Sequence, residues 1–174
     1  MVFKTQVNAD IEILKTNLNH MFLLLNGSLV ILMQAGFGFL EAGSVRSKNV
    51  TNILIKNFAD LCMGEFFMTF IGGIFTKFFT GAGSFLLFGY AFAFGAGSQF
   101  IGYTHFGLIG LDLEDYAFMF FQCTFAATSA TIVSGAIAER CNFNGYIIFS
   151  VLMTGVVYPI HTHWAWGGGW LSDT

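Results

Sequence analysis

Charge is what this sequence has least of. Only 10% of its 174 residues are Asp, Glu, Lys or Arg, against about 25% in an ordinary soluble domain. So little polar material cannot coat a water-exposed globule. The seven Lys and Arg residues are scattered, so no basic run offers the phosphate contacts of a nucleic-acid surface. The net charge of -3 is spread over short loops and says little. Cysteine is scarce and odd in number: Cys62, Cys123 and Cys141. They show neither CxxC nor a Cys/His metal spacing and read as small apolar residues of membrane helices. No nucleophile–base pair, metal constellation or GxGxxG phosphate loop is present, so neither an enzyme nor a cofactor is expected. A cleavable leader is not expected either. The first apolar run, from Met21, is too long for one, and the charges before it are mixed.

What is abundant is apolar. Hydrophobic residues make up 55% of the chain, aromatics 18%, with 23 Phe and 21 Gly, and the mean hydropathy is +0.69. This composition is that of an integral membrane protein, whose apolar surface is covered by lipid. Residues 1–18 are polar and are expected to form an exposed segment. Met21–Leu40 is an apolar run of bilayer length with Asn26, Ser28 and Gln34 as its strongly polar members. Arg46 and Lys48 follow in a short loop. From Ile53 to Gly102 the chain is apolar but long enough for two spans, interrupted by Lys56, Asp60, Glu65 and Lys77. A polar link ends in Asp112, Glu114 and Asp115. Tyr116–Ala138 carries no charge and is a clear span. Arg140 lies in the next loop, and Tyr146–Leu171 is the last span.

Lys and Arg concentrate in cytoplasmic loops. The Arg46/Lys48 and Arg140 loops share one side only if an even number of spans separates them. That favours a single span within 53–102 and an N-terminus outside. Two regions then invite a functional reading. In Tyr116–Ala138 an aromatic half meets a half of Ala, Ser, Thr and Gly. Small residues serve close helix packing, but Phe125 stands at the junction, where its ring can project into space. The last span holds Pro159, which can kink a helix, then His161 and His163, and ends in HWAWGGGWL (163–171). Ionisable residues within a membrane are functional candidates, although His and Trp are also at home at the interface. A Trp beside three glycines fits a belt residue at a helix end, or a ring turned toward a cation.

Four stretches carry a resemblance: MQAGFGFLEAGSVRSKNVTNILIKN (33–57), FGYAFAFGAGSQFIG (88–102), FFQCTFAATSATIVSGAIAER (120–140) and YPIHTHWAWGGGWL (158–171). In this order, and over most of residues 19–171, they resemble the ammonium transporter family, in its microbial and plant-type branch. The resemblance implies an all-α integral membrane protein. It covers the N-terminal portion, about four transmembrane helices (a fifth if 65–81 spans), of an eleven-helix fold of two inverted repeats. It implies a partial transporter domain over 19–174 after an extracellular segment over 1–18. It further implies a homotrimer, each subunit with its own narrow pore for ammonium and ammonia, while the outside N-terminus and the absence of a transit-type segment favour the plasma membrane. Trp166 matches the tryptophan of the outer vestibule, where ammonium is recruited before it loses a proton. Phe125 matches one of two stacked phenylalanines that gate the pore. A cation is held by an aromatic face, and a dry pore opposes the ion far more than neutral ammonia.

Two departures from the family pattern qualify this. The chain ends at Thr174, before the family's pore histidines, for which His161 and His163 are not a substitute because they precede the Trp motif. The 174 residues alone are therefore expected to be inactive. The alternative reading is a non-transporting subunit that joins or regulates full-length trimers. Second, residues 65–81 interrupt the second helix. Joining Gly64 to Ala82 restores one span of normal length, so the stretch reads either as a retained intron or as a genuine re-entrant hairpin.

Overall fold

A computed structural model describes residues 2–51, 53–55, 81–137, 140 and 142–172. Most of the 65–81 insertion, with Cys62 and Cys141, lies outside these residues. Among the described residues the fold is helical, without a strand beyond one isolated bridge between Gly97 and Gly102. Four longer helices carry it among the described residues. Helix α1 is Val2–Ser44. Helix α2 joins Gly81–Ser84, Phe85–Gly89 and Tyr90–Phe94. Helix α3 is Tyr116–Ile137. Helix α4 joins Phe143–Leu152, Met153–Val157 and Tyr158–Trp166.

Helix α1 has 43 residues, roughly 65 Å at 1.5 Å per residue, about twice the bilayer core. The polar start of the chain is therefore helical as well as exposed, and it runs without a break into the apolar span. No Gly or Pro occurs over residues 2–20 to stop it. The Lys15–Glu12 pair, 2.7 Å apart and open to solvent, adds a few tenths of a kcal/mol at most. Within the apolar part, Asn26 Nδ2 donates to Phe22 O at 2.8 Å and Ser28 Oγ to Leu24 O at 2.9 Å. Each polar side chain thereby folds back on its own helix and needs no partner in lipid.

Helices α1 and α3 pack side by side and parallel. Gly27 meets Phe120, where a Cβ would lie 2.7 Å from the ring. Further along, Gln34 Nε2 donates to Thr131 Oγ1, and Ser134 Oγ donates to Glu41 Oε2 at 2.9 Å. All four of these polar residues are buried. The positions ascend together on both helices, so Arg46/Lys48 and Arg140 fall at the same end of the bundle. Gln34 Oε1 is buried with no hydrogen-bond partner among the described residues, so the Thr131 hydroxyl is all that holds this amide. Thr131→Val keeps the shape and removes the hydroxyl. It is expected to cost ~1 kcal/mol, the scale of hydrogen bonds between membrane helices, read as a lower midpoint in reversible detergent unfolding. An unchanged midpoint would show that the Gln34–Thr131 contact contributes nothing.

Helices α2 and α4 also run parallel to each other, opposite to α3. Each contains one widened, π-helical segment, Phe85–Gly89 and Met153–Val157, and these lie against one another. Ser84 Oγ and Thr154 Oγ1 are 2.7 Å apart. At Gly89 a Cβ would come within 2.9 Å of both Pro159 Cγ and Thr154 O. The α4 segment has a local cause. Pro159 has no N–H to continue the ladder and its ring collides with the carbonyl one turn back, and a wider turn relieves both. The core at the far end of α4 is aromatic: Phe85, Tyr90, Met119 and Cys123 are buried together, flanked by Phe94, Phe118 and Tyr158. Phe94 and Phe118 meet edge to face at 5.0 Å, a favourable ring geometry.

Candidate functional site

The end of α4 and the loop after α2 form one unit. The loop is a tight hairpin. Ser98 N donates to Ile101 O at 3.0 Å, Tyr103 N to Ala96 O at 3.1 Å and Gly102 N to Phe92 O at 3.1 Å. Three bonds tie the hairpin to α4 and the turn that follows it, and a fourth ties α4 to Ala93 at the end of α2. His163 Nδ1 lies 2.8 Å from Ala93 O and Nε2 2.8 Å from Ser98 O. Trp164 Nε1 donates to Phe100 O at 2.9 Å, and Trp170 N donates to Gln99 O at 3.2 Å.

The three glycines make this docking possible. Helix α4 closes with Gly167 N donating to Thr162 O and His163 O and Gly169 N to His163 O. Gly168 takes φ +82°, which an L side chain rarely adopts. At Gly167 a Cβ would sit 1.9 Å from Ala93 O, and at Gly169 2.9 Å from Gln99 O. The backbone of the turn thus presses directly on the end of α2 at Gly167 and on the hairpin at Gly169.

The three tryptophans separate into two roles. Trp164 packs with His161 at 5.1 Å and with Trp170 at 6.1 Å between ring centres. Trp166 is 79% exposed and makes no ring contact among the described residues. It is an open aromatic face on a pinned backbone. Phe125 stands on α3, 38% exposed, edge to face with Phe121 at 5.0 Å. Its neighbours Thr124 and Ala126 are buried. No ring contact joins Phe125 to Trp166 among the described residues.

The two candidate histidines part company. His161 is exposed, with Nδ1 2.8 Å from Val157 O in its own helix. His163 is 2% exposed. It lies one turn beyond Pro159, on the face that meets α2, and that periodicity is the sequence signal for its burial. Its partners could not be read from the sequence, because they are backbone carbonyls about 70 residues away.

Apolar helices long enough to cross a bilayer occur at Lys4–Ser44, Leu113–Ile137 and Gly145–Trp166, with a shorter one at Phe85–Phe94. Together with their buried polar rungs they define a multi-pass helical membrane protein. Comparison with known proteins narrows this. The sequence model of the Ammonium Transporter Family matches residues 21–174. The chain is 42% identical over 159 residues to ammonium transporter 1 member 3 of Solanum lycopersicum, covering 90% of this chain and 31% of that protein. It is 41% identical over 170 residues to the ammonium transporter Amt2 of Archaeoglobus fulgidus, covering 94% of this chain and 33% of that one. A solved structure of a Sensor Amt Protein superposes with a TM-score of 0.78 at 33% identity, over 93% of this chain and 39% of the other. The chain belongs to the ammonium transporter family, and it spans about a third of the length of these curated relatives.

Proposed function

We propose that the chain forms part of a transmembrane path for ammonium, with Trp166 as the ring that meets the cation and Phe125 as a ring lining the way inward. The observation that carries this reading is the contrast at Trp166: an open face on a backbone held by its neighbours' hydrogen bonds. A fixed, accessible ring attracts a small cation through its quadrupole without first having to be ordered. The relatives named above are ammonium transporters, and transport by the whole protein is proposed on that basis. So are a homotrimeric assembly, an outward-facing Trp166 end and residence in the plasma membrane. We further propose that transport requires more helices than these four. Phe125 and one long side of α1, including Leu25, Leu29 and Leu32, are open, and a pore needs walls on every side.

The test is methylammonium uptake in cells lacking their own ammonium transporters. Joined ahead of the remaining two-thirds of the tomato relative, the chain should restore uptake. No uptake at normal surface amounts would defeat the reading. The 174 residues alone should give none, and robust uptake by them would refute the need for further helices. A change in uptake seen only beside a full-length transporter would favour a regulatory subunit instead.

A further inference from the structure

We propose that His163 is a positioning residue for Trp166, holding the 95–102 hairpin against the end of α4 through a ring that carries a hydrogen on both nitrogens. This rests on the reading of Trp166 as the cation-facing ring.

The chemistry of the two contacts drives the inference. Nδ1 is 2.8 Å from Ala93 O and Nε2 is 2.8 Å from Ser98 O. Backbone carbonyls only accept. A neutral imidazole has one N–H and one lone pair, so one of these contacts would set a lone pair against a carbonyl oxygen at bonding distance. Both contacts are short and equal, and both are satisfied when the ring donates twice. Such a ring is positive, and burying a charge is costly unless it is compensated. Two features compensate. Both hydrogen bonds become charge-assisted. In addition, His163 occupies the last turn of Tyr158–Trp166, while its partner Ala93 occupies the last turn of Tyr90–Phe94. Two helix carboxyl ends, each carrying partial negative charge, converge on one imidazole. Among the described residues no carboxylate pairs with His163, and the compensation described is that of the backbone.

The clamp lies three residues before Trp166, in the same final turn. Without its donors, the Ala93 and Ser98 carbonyls lose their partner and the hairpin is held by the Trp164 and Trp170 bonds alone. The turn that aims Trp166 is then free to shift.

The test uses the 174-residue chain in lipid nanodiscs with ring-15N histidine. Replacing His20, His105 and His161 by Gln leaves the resonances of His163. Both of its nitrogens should give signals of the hydrogen-bearing type, and a bare lone-pair nitrogen would overturn the proposal. The positioning role is read by hydrogen exchange at the Trp170 amide and the Trp164 indole, and by the order parameter of the Trp166 indole N–H. His163→Phe, which fills the space but donates nothing, should speed exchange about tenfold or more and loosen the Trp166 ring. His163→Gln, whose amide has two donor hydrogens, should restore much of both. Unchanged exchange in the Phe variant would overturn the clamp. If that variant fails to fold, the nitrogen signals of the parent chain still decide. The reading of Trp166 is tested separately by Trp166→Leu uptake, and its failure would leave the nitrogen signals and the exchange rates where they are.

Discussion

Trp166→Leu, made in the fusion that transports, should raise the apparent KM for methylammonium ~5- to 30-fold and leave the amount of protein at the surface unchanged. A cation over an indole face is worth about 1–2 kcal/mol once partly desolvated, and 1.4 kcal/mol is a factor of ten. Leucine keeps an apolar side chain but has no quadrupole. The folding cost should be small, within about 0.5 kcal/mol, because Trp166 is 79% exposed and its ring makes no ring contact among the described residues. The expected split is therefore binding lost and stability kept. An unchanged apparent KM at normal surface amounts would remove Trp166 from the cation path.

Gly167→Ala should produce the opposite pattern. Its φ of -95° is open to alanine, so backbone strain is not the issue. The obstacle is space. The new methyl would sit 1.9 Å from Ala93 O and 2.9 Å from His163 Cα, and backbone atoms on both sides cannot swing away as a side chain end can. Relief requires the end of α4 to part from the end of α2, which breaks the His163–Ala93 bond. The cost should reach or exceed the ~1–3 kcal/mol typical of overpacking, visible as a large drop in the midpoint of detergent unfolding. Gly36→Ala is the control. Nothing lies within 4 Å of a Cβ there, and within a helix alanine is favoured over glycine by up to ~1 kcal/mol. Gly167→Ala as stable as the parent would show that the turn does not press on the end of α2 as described.

The sequence carried the spans well because an apolar run without charge has few alternatives in lipid. Tyr116–Ala138 is expected and Tyr116–Ile137 is found. The family assignment was equally legible from four ordered motifs. Three features were not legible. Helix α1 reaches back to Val2 because local propensity alone carries helix beyond the apolar run, and hydropathy does not register it. The widened segment of α4 follows from Pro159, but that of α2 contains no proline to mark it. Most of all, the corner around Trp166 is non-local. His163 could be flagged as an ionisable residue in a span, but its fate as a buried donor depends on carbonyls of a hairpin that nothing near residue 163 encodes. The same holds for Gln34 and Glu41, whose polarity stands out while their hydroxyl partners on α3 do not.

That last pairing has a consequence for biosynthesis. Gln34 and Thr131 are 97 residues apart in the chain, and Glu41 and Ser134 are 93 apart. At a synthesis rate of about 5–20 residues per second, α1 leaves the ribosome roughly 5–20 s before α3. Throughout that interval the Gln34 amide lacks the Thr131 hydroxyl that it meets in the finished fold. The pairing of the first helix with the third is therefore completed only late in synthesis.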